Sequence, residues 1–232
     1  NFVKQDPTLK LQIIAGGSHF LKKHGFTYRE IFQNGLTIDK KIKIGINSYS
    51  SRSLIDATGL TLFHLSKAYK DLQPDIIVVL GDRYEVFAAC YAALINRIPL
   101  AHFHGGELTE GAVDDALRHS ITKMSWWHFV SAIKYKKRII QLGESPERVF
   151  FIGSLGVDNI QRIRLFTKKQ INKELSINFN KKNILITYHP VTLDKRTPKS
   201  DFEELLQAIK SLKDTNFIFT SPNADPHNAI II

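Results

Sequence analysis

The sequence predicts an α/β fold built on doubly wound parallel sheet. Short, mainly apolar runs bounded by turn residues alternate with longer helical stretches, which is the pattern of successive strand–helix–strand units. The chain has 232 residues, of which 43% are hydrophobic, so it can bury the core of one large domain or two modest ones. This alternation excludes an all-β fold and a helical bundle.

The apolar runs and the helical stretches follow one another in a regular order. Buried parallel strands are predicted at residues 11–15, 76–80, 100–103, 149–152 and 184–187, with a sixth at 217–220. Helices are predicted at residues 50–72, 83–95, 111–124, 132–142 and 199–212. We therefore expect each strand to connect to the next through a helix that packs on a face of the sheet.

A polar stretch at residues 159–183, rich in Lys and Asn, predicts a boundary between two domains. Residues 1–158 form the first domain, and residues 159–232 form the linker and the start of a second. The second part contains only two predicted strands, too few for a doubly wound domain of ordinary size. We expect it to be an incomplete portion of such a domain, and the opening residues resemble the tail of a helix that began earlier.

Charge and composition narrow the kinds of partner. The chain carries 32 Lys and Arg against 22 Asp and Glu, a net charge of +10, which indicates an anionic partner. The basic residues are scattered, without the interleaved aromatic residues of a base-stacking surface, so a phosphate-bearing small substrate is favoured over nucleic acid.

Three further features bear on where the protein works. No apolar run is long enough to span a bilayer, and none has the layout of a secretory signal. Cys90 is the single cysteine, which excludes an internal disulfide and suits a reducing compartment. We predict a cytoplasmic protein with neither a membrane nor a nucleic acid as its partner.

Polar side chains follow several predicted strands, at the edge where open parallel sheets bind their ligands. Polar turns that contain glycine on adjacent strand ends indicate a shared anionic ligand and acid–base chemistry, with the glycines allowing close backbone approach. The four turns are Gly81-Asp82-Arg83, His104-Gly105-Gly106-Glu107, His189-Pro190-Val191-Thr192 and Ser221-Pro222-Asn223-Ala224-Asp225.

Two of these turns have both a structural and a functional interpretation. Asp82 follows an apolar strand and precedes Arg83, where an apolar helix is predicted to begin, so it is either a helix cap or a catalytic carboxylate. Glu107, with His104 beside it, belongs either to an ordinary turn or to the edge of a binding cleft.

The helix predicted at residues 111–124 carries two adjacent carboxylates. Asp114 lies at the edge of its apolar face, whereas Asp115 lies about 165° from the centre of that face and is expected to point into water. Spacing of four residues pairs Asp114 with Arg118, and Asp115 with His119. Two surface ion pairs are the alternative to a catalytic role.

His189 follows a predicted strand in the second domain and is either structural or a phosphate or acid–base residue. The histidines and the cysteine show no zinc-binding spacing, and the chain contains no calcium-binding loop. Neither a metal nor another cofactor is predicted.

In order and spacing, the motifs resemble the hydrolysing UDP-N-acetylglucosamine 2-epimerases. The resemblance implies a GT-B fold, in which two Rossmann-like domains enclose the active site in the cleft between them. It also implies a UDP-sugar substrate and a homo-oligomer, either dimer or tetramer. The motifs are residues 81–85, residues 102–119, Tyr188-His189-Pro190-Val191-Thr192, and the nucleotide-side loop at residues 221–225.

The implied reaction converts UDP-N-acetylglucosamine to UDP and N-acetylmannosamine, for sialic-acid-type biosynthesis. UDP leaves with loss of the C2 proton, and the resulting glycal is then hydrated. The resemblance makes Asp82 and Asp114 catalytic carboxylates. The third acid–base role falls to the nearby carboxylate Glu107 or to His104, at whose position some relatives carry glutamate. Substrate and nucleotide binding is expected from Arg83, His104, Arg118, His189 and Asn223.

Several alternatives stay open. The substrate could be a GDP-linked sugar or a 2,4-diacetamido sugar nucleotide, as in legionaminic-acid synthesis. The chain could instead be a GT-B glycosyltransferase or a sugar-nucleotide-binding protein without turnover. Hydrolysis is favoured over reversible epimerisation, because the Glu-Ala-Gly-Leu-Arg turn and Pro-Glu-Glu helix start of the non-hydrolysing enzymes do not occur in this sequence.

Overall fold

The computed structural model describes residues 2–22, 25–44, 50–179, 182–189 and 198–220. The chain divides into two compact units. Unit 1 contains Asn1–Thr109 and Asp114–Ile152, and unit 2 contains Glu110–Val113 and Gly153–Ile232. The domain limits proposed from the sequence, at residues 158 and 159, stay a prediction.

Unit 1 begins with a small parallel sheet. Strand β1 (Ile14–Gly16) pairs with strand β2 (Lys40–Ile42), and Ile14 lies opposite Lys40. Helix α1 (Phe2–Gln5) precedes the pair, and helix α2 (Tyr28–Gln33) connects its strands. β2 was not predicted, because a strand of three residues that contains two lysines lacks an apolar run.

A four-stranded parallel sheet forms the rest of unit 1, with its strands in sequence order. Its strands are β3 (Ile77–Leu80), β4 (Leu100–Phe103), β5 (Trp127–Val130) and β6 (Val149–Phe151). The helices are α3 (Ser51–Leu72) before β3, then α4 (Tyr84–Ile95), α5 (Val113–Met124) and α6 (Ile133–Gln141) between successive strands. Every helix predicted in this part of the chain is present, within two residues at either end. β5 was not predicted.

The core of unit 1 lies where α3 and α4 pack on the sheet. Helix α3 starts at Ser50, whose side chain accepts a hydrogen bond from the backbone N–H of Ser53, as a helix cap does. The facing helix α4 buries small residues, including Ala92, Ala93 and Cys90, which lets the two helices approach closely. Leu100 is 1% exposed in the same cluster, and its burial contributes about 1.5–3 kcal/mol.

Unit 2 contains one parallel strand pair among its described residues. Two of its helices lie wholly or partly in the stretch that was predicted as a linker. A capping box formed by Thr167 and Gln170 starts the helix at Lys168–Leu175, within that stretch. The described elements are α7 (Leu155–Arg162), α8 (Lys168–Leu175), β7 (Lys182–Ile186), α9 (Pro198–Lys210) and β8 (Thr215–Phe219). Among all the helices of the described ranges, none is long and apolar enough to cross a membrane.

The loop after β4 lies directly on helix α6. Gly106 has φ of +76°, and a Cβ atom built there would lie 2.7 Å from the backbone oxygen of Tyr135 and 2.9 Å from Cγ1 of Ile139. At Gly105 a Cβ atom would lie 3.0 Å from Nδ1 of His102 and 3.0 Å from Oγ1 of Thr122. The two glycines, predicted to let the backbone approach a ligand, therefore let the loop approach the protein's own core.

We expect Gly106→Ala to destabilise unit 1 by about 3 kcal/mol, because it combines a left-handed backbone with overpacking against α6. Gly35→Ala is the matched control, since Gly35 also has positive φ, +70°, but nothing lies within 4 Å of a Cβ atom there. The control should cost about 1 kcal/mol. The measurement is urea unfolding followed by the fluorescence of Trp126 and Trp127, the two tryptophans of the chain. Equal losses for both variants would show that contact with α6 is unimportant.

Candidate active site

The carboxyl ends of β3 and β4 lie side by side and carry the first two predicted residues. Leu80 pairs with Phe103 in the parallel register, so Asp82 and His104 emerge at the same edge of the sheet. A left-handed residue directly follows each strand, Gly81 with φ of +81° and His104 with φ of +64°. His104 is a non-glycine residue in a region that costs roughly 1–2 kcal/mol, and such strain is concentrated at functional sites.

Asp82 does not cap helix α4. The N-cap position is occupied by Arg83, with extended backbone and no capping hydrogen bond from its side chain. Oδ2 of Asp82 instead accepts a hydrogen bond from Nη2 of Arg118, on helix α5. The helix-cap interpretation is therefore wrong, and the carboxylate is held at the sheet edge by a guanidinium from another element.

Arg118 is the centre of the site. Its side chain is only 7% exposed. Nη2 donates to Asp82 and to Oγ1 of Thr109 at 3.0 Å, while Nη1 donates to the backbone oxygen of Glu107 at 3.0 Å and to Oδ1 of Asp115 at 3.3 Å. A planar guanidinium with five donors can satisfy several acceptors in fixed directions, so one side chain joins the end of β3, the loop after β4 and helix α5.

Asp115 does not point into water as its helical position predicted. Its Oδ1 accepts from the backbone N–H of Thr109 at 3.1 Å, in addition to Arg118. The predicted contact with His119 is present, at 3.6 Å between Oδ2 and Nε2. The cause of the difference is the loop after β4, which folds back over the first turns of α5. Asp114, the neighbouring residue, is half-buried on the same helix.

Glu107 and His104 form a pair at the end of β4. Nδ1 of His104 donates to Oε1 of Glu107 at 3.0 Å, and the hydroxyl of Ser131 donates to the same oxygen at 2.8 Å. Ser131 directly follows β5, so three neighbouring strand ends contribute to the cluster. In the neutral tautomer that donates from Nδ1, the lone pair of the imidazole is on Nε2. A histidine oriented by a carboxylate is suited to proton transfer.

His102 lies one position before the end of β4 and is fully buried. Its Nε2 is 2.9 Å from the backbone oxygen of Gly81, and its Nδ1 is 3.3 Å from the hydroxyl oxygen of Thr122. Burial lowers the pKa of His102 from 6.5 to about 4, so the ring is neutral at pH 7. Burial also lowers the pKa of His128, which lies opposite His102 on β5 and 3.2 Å from Glu144.

Three further residues were predicted to bind substrate or nucleotide, and the structure describes two of them. Arg83 is half-exposed, and its Nε donates to Glu85 at 3.2 Å. His189 is exposed after β7 in unit 2, and Asn223 lies outside the described residues. Within the described ranges, no group of three or more His, Cys, Asp or Glu side chains is arranged to hold a metal ion.

Sequence reasoning missed four participants: His102, Thr109, Thr122 and Ser131. Ser131 would have been found if β5 had been predicted, because it directly follows that strand, as Gly81 and His104 follow theirs. The hydroxyl of Thr122 had no comparable signal, since a threonine in an amphipathic helix has many structural uses.

The described parts therefore define an α/β protein with parallel sheets and a cluster of acid–base side chains at one sheet edge. The fold matches the crystal structure of UDP-GlcNAc 2-epimerase from Neisseria meningitidis bound to UDP-GlcNAc, with a TM-score of 0.81, 22% identity and coverage of 99% of this chain and 63% of that one. The match confirms the predicted GT-B-like α/β fold class.

The family model for UDP-N-acetylglucosamine 2-epimerase matches residues 1–232. The chain belongs to this family. It is 44% identical over 229 residues to GDP/UDP-N,N'-diacetylbacillosamine 2-epimerase (hydrolyzing) of Campylobacter jejuni, and 37% identical over 230 residues to polysialic acid biosynthesis protein P7 of Escherichia coli. Each alignment covers 99% of this chain and 59% of the relative, so the chain spans about three fifths of their length. The family resemblance inferred from the motifs is confirmed.

We expect Arg118→Met to lower the free energy of unfolding of unit 1 by about 2 kcal/mol, because it leaves the partly buried Asp82 without its cation. Arg52→Met is the matched control, since Arg52 pairs with Asp56 on the surface of α3 and is 86% exposed. Such a pair contributes less than about 0.5 kcal/mol. Urea unfolding followed by tryptophan fluorescence compares the two. A loss no larger for Arg118→Met than for the control would show that Arg118 does not hold the site together.

Stability should fall on acidification because the folded protein resists protonation of His102. The unfolded ring takes up a proton below its usual pKa of 6.5, whereas the folded ring does so only near pH 4. The contribution of the neutral His102 ring to the free energy of unfolding is thus complete above pH 6.5 and is lost as the pH falls toward 4. At pH 5 the loss in the free energy of unfolding is about 2 kcal/mol.

Urea unfolding at pH 7 and pH 5 measures this loss, with His102→Gln as the comparison because glutamine does not titrate. The variant should lose less stability than the wild type between the two pH values. An identical loss in both proteins would assign the acid sensitivity to other groups.

Proposed function

We propose that the protein is a hydrolysing 2-epimerase of nucleotide-linked 2-acetamido sugars. The observation that carries this proposal is the cluster around Arg118, in which Asp82 is held beside the His104–Glu107 pair in a member of this epimerase family. The reaction requires proton removal and proton return at one carbon, which needs at least two groups placed close together.

The proposed reaction has two stages. In the first, a base removes the C2 proton, the C1–O bond breaks, and its electron pair leaves with the nucleoside diphosphate, which gives a glycal. In the second, water adds to C1 while an acid returns a proton to C2 from the opposite face, which inverts that carbon. We assign these proton transfers at C2 to Asp82 and Asp114.

We assign the third acid–base role to the His104–Glu107 pair, acting through Nε2 of His104. Glu107 accepts two hydrogen bonds at Oε1, one from His104 and one from Ser131. This arrangement suits a carboxylate that orients the imidazole, with Glu107 contributing to the reaction through His104.

Arg118 is better suited to positioning than to binding the diphosphate. Both of its terminal nitrogens already donate to protein oxygens, and its side chain is nearly buried. We assign the diphosphate to Arg83, His189 and Asn223 instead. The net charge of +10 would assist capture of an anionic substrate.

Two sugars are candidates for the substrate. The relative at 44% identity is named for GDP/UDP-N,N'-diacetylbacillosamine, which supports a 2,4-diacetamido sugar nucleotide. The relative at 37% identity is named for polysialic acid biosynthesis, and the family model is named for UDP-N-acetylglucosamine 2-epimerase. These two names support UDP-N-acetylglucosamine as the substrate. The higher identity favours the diacetamido sugar, and a sialic-acid-type role remains the second candidate.

The full natural protein should convert one of these sugar nucleotides to free nucleoside diphosphate and the C2-epimeric free sugar. In heavy water the product should carry deuterium at C2, because inversion there replaces the original proton. Incubation with the UDP- and GDP-linked forms of both sugars, followed by NMR of the products, identifies the sugar and the base. A C2-epimeric nucleotide sugar as the sole stable product would show that the reaction is not hydrolytic.

Asp82→Asn and Asp114→Asn should each lower turnover by about a hundredfold or more, the usual scale for loss of an acid–base group. Asn at residue 82 retains an oxygen that can accept from Arg118, so the loss would report proton transfer rather than positioning. Asp56→Asn, on the exposed face of α3, is the control and should retain normal turnover. Full activity in either site variant would remove that residue from the mechanism.

A further inference from the structure

A chain of side-chain hydrogen bonds runs beneath the acid–base cluster, from helix α5 through β4 to the turn that carries Asp82. We propose that His102 and Thr122 are positioning residues that fix this turn for catalysis. The inference rests on the proposed function and adds two residues that do not touch the substrate.

The partners of His102 determine its tautomer. A backbone carbonyl can only accept, so Nε2, 2.9 Å from the oxygen of Gly81, carries the proton. Nδ1 then has the lone pair and accepts from the hydroxyl of Thr122 at 3.3 Å. The bonds therefore run in one direction, from Thr122 through His102 to Gly81.

The backbone of Gly81 is held by two hydrogen bonds to β4. A Cβ atom at Gly81 would have nothing within 4 Å. Its backbone N–H donates to the oxygen of Phe103 at 3.2 Å, and its carbonyl accepts from His102. Both backbone polar groups of Gly81 are thus bonded to β4, and one of the two bonds comes from a side chain.

Helix α5 consequently holds Asp82 at two points. Arg118 donates directly to the carboxylate, and Thr122, one helical turn further along, acts through His102 on the carbonyl that immediately precedes Asp82. Both Arg118 and Thr122 are buried. Two anchors on one helix restrict rotation of the carboxylate as well as its displacement, and catalytic groups lose much of their effect when displaced by about 1 Å.

The surroundings of His102 favour a specific role over general core packing. An apolar side chain at this position would fill the core without the cost of burying a polar ring. Gly105 also leaves room for the hydrogen-bonded pair, since a Cβ atom there would lie 3.0 Å from both Nδ1 of His102 and Oγ1 of Thr122. The loop that carries Glu107 is thereby shaped around the same bond.

The test compares Thr122→Val with Thr122→Ser in the full natural protein, using the sugar nucleotide that the wild type turns over. Valine preserves the shape of threonine and removes the hydroxyl, whereas serine keeps the hydroxyl. We expect Thr122→Val to lower kcat about tenfold or more with KM changed less than about twofold. Thr122→Ser should restore kcat to within about threefold of the wild type, since its hydroxyl can donate to His102. Wild-type kcat in folded Thr122→Val would overturn the proposal.

NMR gives a readout that does not need turnover. The amide nitrogen of Asp82 belongs to the same peptide group as the carbonyl of Gly81, so its resonance reports the bond from His102. It should shift in Thr122→Val and stay near its wild-type position in Thr122→Ser. If the wild type turns over none of the four sugar nucleotides, the proposed function fails. A shift of the Asp82 resonance in Thr122→Val alone would still support the positioning of the Gly81–Asp82 turn by His102 and Thr122. An unchanged resonance in Thr122→Val would overturn the positioning role by itself.

Discussion

The candidate site depends on the buried guanidinium of Arg118. It joins groups from the end of β3, the loop after β4 and helix α5, and these are the elements that carry the carboxylates and the imidazole. A lysine would supply one compact charge and could not reach acceptors in several fixed directions at once. The distances among the acid–base groups are therefore set by the planar shape of one side chain, which receives its own support from the packing of α5 on the sheet.

Two buried histidines lie in the sheet of unit 1. His102 and His128 occupy opposite positions on adjacent strands, where apolar side chains would pack at lower cost. Each has a hydrogen-bond partner, Gly81 for one and Glu144 for the other, so much of the cost of burying a polar ring is offset.

Much of the fold could be predicted from the sequence, because alternation of apolar runs with helical stretches is a local pattern. Residues 100–103 were predicted as a strand and are β4 in the structure. The strands that escaped prediction are β2, whose three residues include two lysines, and β5. Such short segments adopt their form through pairing with neighbours, and pairing is not visible in a window of sequence.

Asp82, His104 and Glu107 were predicted to follow strands and do so in the structure, but their partners were not predicted. Asp82 has the sequence context of a helix cap, and only the fold brings Arg118, 36 residues further along, to its carboxylate. The orientation of Asp115 failed for a similar reason, since helical spacing describes a helix by itself and not the loop that folds over it. Local sequence patterns thus identify the strands and helices that bear the candidate acid–base side chains. The contacts among these side chains become visible only in the tertiary structure.

The backbone at His104 has a consequence for how the loop after β4 meets a ligand. Glycine or asparagine would adopt its left-handed conformation at lower cost, so the chain retains an imidazole there at the expense of some folding stability. That cost falls on the folding of the chain and not on each binding event. A loop already held in this shape by Arg118 and α6 has little conformational freedom left to lose, and a rigid receptor of this kind gains affinity by avoiding the entropy loss of ordering itself around its ligand.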